Sequence, residues 1–243
     1  MKPQPIHMYS VDQLPLQPDE LDLLNELVPL SGQQVIELGC GNARLARSLL
    51  QRFPACHVTG LEVDAVQHAK NLAQPQAGLD FLSAGAQDLP FPAASFDLAL
   101  MLKSLHHVPV SLLAQALSEV ARVLKPGGYL YVSEPIYDGA LNEVVRLFND
   151  EGVVRAAAQA ALDEALATTG QWETVTERRF AQAVSYRDFD EFEQRMMRPS
   201  FAQHDLNDAV VALVRSAFEP HMNPAGARFV RPMHVRLLRR TGN

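Results

Sequence analysis

The chain has 243 residues, 47% hydrophobic and 20% charged, which suits a soluble globular protein with a sizeable core. Two cysteines, Cys40 and Cys56, exclude a disulfide framework and point to a reducing cytoplasm, and no apolar run is long enough to span a bilayer. A formal charge of −7 counts against a broad nucleic-acid-binding surface.

The opening "MKPQPIHMYSVDQLP" has no apolar core of the signal-peptide kind. Pro18 to Leu27 reads as a short amphipathic helix with acids in its first turn. Val35–Leu38 is a buried strand, and "ARLARSLLQRF" has its apolar residues at helical spacing. Cys56–Leu61 is a second strand, followed by the helix "AVQHAKNLA". Leu79–Ser83 and Phe96–Leu102 are the third and fourth strands. Ser111–Leu124 is a helix stopped by "KPGG" before a fifth strand, "YLYVSE". Such alternation calls for a parallel sheet with helices on both faces and right-handed crossovers. After Pro135 the pattern changes. Asp138–Ala167, Arg187–Met197 and Leu206–Phe218 read as helices, and Arg228–Arg239 as a final strand whose alternate arginines face water.

The stretch "VIELGCGNARLARSLL" sets Glu37, Gly39 and Gly41 at the carboxyl end of the first strand, where open parallel sheets bind ligands. Glycine there allows a tight turn and a close approach of ligand to backbone. The helix from Ala43 points its free N–H groups at the same spot. Glu62 ends the second strand, placed to accept hydrogen bonds from two ribose hydroxyls. Asp64 reads as the N-cap of the next helix. A carboxylate at Glu37 repels a phosphate and attracts an ammonium. Arg44 breaks a GxGxxG pattern, and no GxxxxGK[ST] is present. An amino-acid-bearing nucleoside therefore fits better than NAD.

"VIELGCGNARLA" resembles motif I of the class I S-adenosylmethionine-dependent methyltransferases. "HVTGLEVDAVQHAKNLA" is similar to that family's second strand and helix, "AQDLPFPAASFDLALMLKSLHHV" to its LPFP…SFD…LHHV segment, and "LSEVARVLKPGGYLYVSEP" to its fourth helix and fifth strand. The four segments lie in order from Val35 to Pro135, closest in flavour to the quinone and sterol branch of small-molecule enzymes. The resemblance implies an α/β fold, a Rossmann-like doubly wound, mostly parallel seven-stranded sheet with helices on both faces and a helical elaboration near the C-terminus. Residues 1–134 would be the cofactor-binding core with an N-terminal helix. Residues 135–243 would be a helical substrate cover plus terminal strands completing the sheet, within a single domain. S-adenosyl-L-methionine is the implied cofactor, with S-adenosyl-L-homocysteine as product. Glu37, Gly39, Cys40 and Gly41 would hold its methionine end, Glu62 the ribose, and Val63, Ala86 and Gln87 the adenine. Met101 and Leu102 would close over the methionyl part. Gly85 replaces an aspartate that often meets the adenine amino group, a loss of about 1 kcal/mol that Asp88 is near enough to offset.

Methyl transfer needs a general base only when the attacking atom carries a proton. Lys103, at the mouth of the fourth strand, is a candidate for holding a substrate carboxylate or phosphate, against a plain solvated cation. His106, beside His107, is a candidate base or substrate contact, against a structural ring bonded to backbone. His7, Tyr9 and Tyr137 lie on segments that fold over such sites, and Glu134 ends the fifth strand. Met196, Met197 and Phe201 with Arg195 and Arg198 make an apolar wall with cations, against ordinary core packing. No metal is expected. The expected partner is a small-molecule substrate, with no membrane, no nucleic acid, and a monomer or homodimer. The other readings are a tRNA-modifying methyltransferase and a non-catalytic protein that binds S-adenosylmethionine.

Overall fold

The computed structural model describes residues 13–200 and 204–242. His7, Tyr9 and Phe201 lie outside them. Strands β1 (Gln34–Leu38) and β2 (His57–Leu61) are short apolar runs buried on both faces, as the middle of a parallel sheet requires. With β3 (Leu79–Leu82), β4 (Phe96–Leu102) and β5 (Leu124–Pro135) they form a parallel ladder in the order β3-β2-β1-β4-β5. β8 (Gly226–Arg240) then pairs antiparallel with β5, and β6 (Trp172–Tyr186) antiparallel with β8. The expected count of seven strands is corrected to eight, because the two-residue β7 (Met222–Asn223) folds back on β8.

β6 is the element that the sequence reading passed over. It is an edge strand whose one strand neighbour is β8, with only a single bridge from Leu16 to Ala181 on its outer edge, most of its residues are exposed, and "WETVTERRF" gives no clean alternation. Charged side chains there protect an open edge from pairing with another chain. β5 begins at Leu124, so "KPGG" lies inside the strand rather than before it.

Helices cover both faces. On one lie α1 (Glu20–Leu27), capped by the Asp19 carboxylate, and α2 (Arg44–Arg52), over a core that includes Leu24, Leu49, Leu100 and Tyr131. On the other lie α4 (Leu113–Val123) and the alanine-rich α6 (Gly152–Thr168), over Ile36, Met101, Val120 and Leu162. Between β2 and β3, α3 (Ala65–Leu72) is capped by Asp64, as expected, through Val66 N–H at 3.0 Å. No helix among the described residues is long and apolar enough to cross a membrane.

A third core stands at the carboxyl edge of the sheet. Because β8 runs antiparallel to β5, its first residues extend beyond Pro135, which pairs with Met233. Against them pack α5 (Ala140–Val145), α7 (Phe189–Phe192), a π-turn over Glu193–Met197, and α8 (Asp208–Phe218). Phe218 is fully buried, its ring 4.9 Å from that of Phe192 and 5.5 Å from that of Phe189. Phe218→Ala should lower the unfolding free energy by about 3–5 kcal/mol in urea titration, the usual cost of emptying an aromatic core position.

Candidate active site

Strand order reverses between β1 and β4, which opens a crevice at their carboxyl ends. The chain leaves β1 through Gly39, Cys40 and Gly41, with Gly39 at φ 71° and Gly41 at φ 53°. A Cβ on Gly39 would lie 2.7 Å from that of Ser104, whose hydroxyl donates to the Leu38 carbonyl at 2.7 Å. Gly41 N–H donates to Glu62 Oε2 at 2.8 Å, and Asn71 Nδ2 donates to the Gly41 carbonyl at 2.7 Å. The other oxygen of Glu62 accepts from Asp64 N–H at 2.8 Å. Glu62 thus braces the turn from behind, and each of its oxygens keeps a further lone pair. Val63 beside it is 69% exposed, a large apolar side chain facing open space.

Glu37 is buried beneath this turn, and one of its oxygens, Oε2, has no hydrogen-bond partner among the described residues. Burial pushes its carboxyl up to about 8, against the opposing pull of the Ala46 backbone bond, Lys103 and Arg44. A buried carboxyl with a bare oxygen is a receptor for a cation. Ala43 sits at φ 55° ahead of α2 and supplies no side-chain cap. That conformation costs a non-glycine residue about 1–2 kcal/mol.

Cys40 contributes backbone and a thiol that accepts from Asn71 Nδ2 and donates to the Gly41 carbonyl, each at 3.7 Å. Its N–H bonds the Leu61 carbonyl at 2.9 Å, and its thiol is buried in the core, which pushes its pKa up. Ala86 is buried at the crevice wall, and Gln87 offers its carbonyl to Gln115 Nε2 at 2.9 Å. Asp88 is exposed and acts electrostatically on Arg122, so it does not take the place of an aspartate at Gly85. Met101 is corrected from a ligand-facing side chain to a core one, 1% exposed among the residues under α4. Leu102 is half-buried on the opposite face. Lys103 leaves β4 at φ 57°, its N–H bonded to the Ser133 carbonyl at 2.7 Å, and its ammonium has no carboxylate within 4 Å among the described residues.

His106 is also corrected. Its ring is 3% exposed, with Nδ1 on Glu134 Oε2 and Nε2 3.7 Å from Glu151 Oε2. Glu134 accepts Leu105 N–H as well, at 2.9 Å, and Arg155 pairs with Glu151 at 2.6 Å. An enclosed ring between two acids positions a turn and is poorly placed to take a proton from substrate. Ligating atoms of His106, His107 and Glu151 lie within 4.8 Å of one another, but the guanidinium of Arg155 already occupies the Glu151 carboxylate. Tyr137 is at the surface, donating to Asp150 at 2.7 Å. Met197 is core, while Arg195 and Arg198 pair with Glu191 and Glu193.

Sequence reasoning missed five participants. Asn71 and Ser104 clamp the glycine turn, and Glu151 closes the His106 chain. Arg231 was counted among arginines facing water but is half-buried, and Arg236 is 5% exposed and paired with Asp163 at 2.7 Å. The signal for these two is the apolar company that "FVRPMHVRLL" gives them.

Residues 36–132 match the model of the methyltransferase domain family. A fatty-acid O-methyltransferase of Mycolicibacterium smegmatis is 39% identical over 45% of this chain and 40% of its own length. A phthiotriol/phenolphthiotriol dimycocerosates methyltransferase of Mycobacterium ulcerans is 37% identical over 44% and 39%. The chain thus spans about 40% of the length of these two curated relatives. Over 92% of the chain, the fold is similar to that of the YcgJ protein from Bacillus subtilis, with a TM-score of 0.62, 17% identity and 98% of that chain covered. The segment from β1 to β5 is thus similar to a methyltransferase domain, and the whole chain to the fold of YcgJ.

The glycine turn yields a paired prediction. Gly41→Ala meets nothing within 4 Å and should cost only the left-handed conformation, about 1–2 kcal/mol. Gly39→Ala adds a clash with Ser104, worth about a further 1–3 kcal/mol. Parallel urea titrations should rank the two variants in that order.

Proposed function

We propose that the protein is an S-adenosylmethionine-dependent methyltransferase acting on a small molecule. The observation that carries this reading is the bare oxygen of buried Glu37 at the strand-reversal crevice. The ammonium of an amino-acid-bearing nucleoside satisfies it, and a pyrophosphate does not. Glu62 would accept the ribose hydroxyls with its remaining lone pairs, and Val63 would cover the adenine face. Gly39 and Gly41 let the methionyl part lie on backbone, with Cys40 and Leu102 beside it, and Ala86 and Gln87 line the base pocket.

Bound there, S-adenosylmethionine would supply a methyl already activated on a sulfonium. The protein's share is to hold an acceptor in line with the breaking S–C bond and to exclude water. The elements after Pro135 that build the third core at the carboxyl edge of the sheet would be the acceptor cover. The names of the relatives favour a lipophilic acceptor methylated on oxygen.

Calorimetric titration with S-adenosylhomocysteine, with NAD as control, tests the reading. At pH 7 a carboxyl titrating at about 8 is mostly protonated. Pairing with the ligand ammonium would pull that pKa down by about 1–3 units, so binding should release between about 0.4 and 0.9 of a proton. Titrations in buffers of different ionisation enthalpy should show that release, and Glu37→Gln should abolish it while weakening binding about tenfold or more. Binding of NAD and not S-adenosylhomocysteine would sink the reading.

A further inference from the structure

Two cations on the far side of the crevice lack what buried charges ordinarily require. Lys103 and Arg231 are each half-buried, and neither has a carboxylate within 4 Å among the described residues. An unpaired charge removed from water costs several kcal/mol. β5 lies between the two strands that carry them. Lys103 N–H bonds the Ser133 carbonyl, Ser133 pairs with Val235, and Ile136 N–H bonds the Pro232 carbonyl at 2.9 Å. Arg231 shares strand parity with Met233 and Val235, which face the core beneath α1. Lys103 answers to Glu20 of α1 and to Glu37 on that same face, and to the charge of Arg231.

Nearby donors are also bare. Among the described residues, buried Ser133 Oγ has no hydrogen-bond partner, and neither has the buried hydroxyl of Tyr186, whose ring lies under the Arg195 guanidinium at 4.9 Å. Arg231 is pressed by the like charges of Arg155 and Arg195 and eased by Tyr186 and Glu151. Two unpaired cations with two bare hydroxyls are complementary to an anion with several acceptor oxygens.

Resting on the methyltransferase reading above, we propose that Lys103 and Arg231 form a seat for the carboxylate of the methyl acceptor, so that the acceptor is an organic acid. A carboxylate can reach this seat from two sources, the acceptor or the amino-acid end of the cofactor. Lys103, beside Glu37, adjoins both. Arg231 lies near the start of β8, which packs into the third core, and feels the charges of Tyr186, Arg155 and Arg195, which favours the acceptor as the seat's occupant.

The test uses the full chain saturated with S-adenosylhomocysteine. It is titrated with octanoate and benzoate and with the uncharged octanamide and benzamide. At least one acid should bind about tenfold or more tightly than its amide, the scale of a charge-assisted hydrogen bond. Arg231→Gln should erase that preference and leave S-adenosylhomocysteine affinity within about twofold, while Arg231→Lys, which keeps the cation, should retain most of it. Acids and amides binding alike in the unaltered protein would overturn the proposal, whatever the variants do. So would an Arg231→Gln variant that loses S-adenosylhomocysteine binding and keeps the acid preference, because the carboxylate would then be the cofactor's. Failure of S-adenosylhomocysteine to bind the unaltered protein would count against the methyltransferase reading instead. The acid preference would then be read from direct titration alone.

Discussion

The contact between Gly39 and Ser104 is the constraint on which the site depends. β1 and β4 are neighbours that end together, and their exits must pass each other with no side chain between them. Once Gly39 accepts that closeness, Gly41 can turn its N–H onto Glu62, and Asn71 can hold the Gly41 carbonyl. The exit of β1, the end of β2 and α3 are thereby fixed against one another through the Gly41 backbone, held by the Glu62 and Asn71 side chains. A ligand meets a surface already shaped, so little ordering remains to oppose binding.

Charge is divided across the crevice. On the β1–β2 side lie the carboxyls of Glu37 and Glu62, and on the side of β4 and β8 lie Lys103 and Arg231. Burial raises the pKa of Glu37 and lowers that of Lys103, so each group is held in its charged form less firmly than it would be in water. The site gains its full charge contrast when ligand groups of opposite sign arrive. That arrangement favours a zwitterionic or doubly ionic set of ligands over a neutral one.

The parallel half of the fold was legible in the sequence because its signals are local. Strand, glycine turn, helix and a terminal acid follow one another within a few residues, and Glu37, Gly39, Gly41 and Glu62 could be read as a set from Val35 to Glu62 alone. The antiparallel half was less legible because its logic is tertiary. β6 is polar on most positions, since only one edge of it meets the sheet. Arg231 is remote in sequence from Lys103, and only the pairing of β8 with β5 brings them to one face. His106 misled for the opposite reason. Its position beside the mouth of β4 is genuine, but Glu151, which helps enclose it, comes from the start of α6, and no local pattern announces that.

The enclosure of His106 explains how Lys103 keeps its unusual backbone. A lysine at φ 57° is strained by about 1–2 kcal/mol and would relax if its neighbours were free to move. They are not free. Glu134 takes both Leu105 N–H and His106 Nδ1, two and three residues further on, and Ser104 between them is tied to the Leu38 carbonyl. Glu151 and Arg155 extend the chain of charges to Asn142 of α5, so the same network that pins the turn also pins the cover over it. Buried polar chains of this kind add little net stability and are costly to break. What this one supplies is position: it holds the exit of β4 and the cover in a single relative arrangement, and the direction in which Lys103 points follows from that.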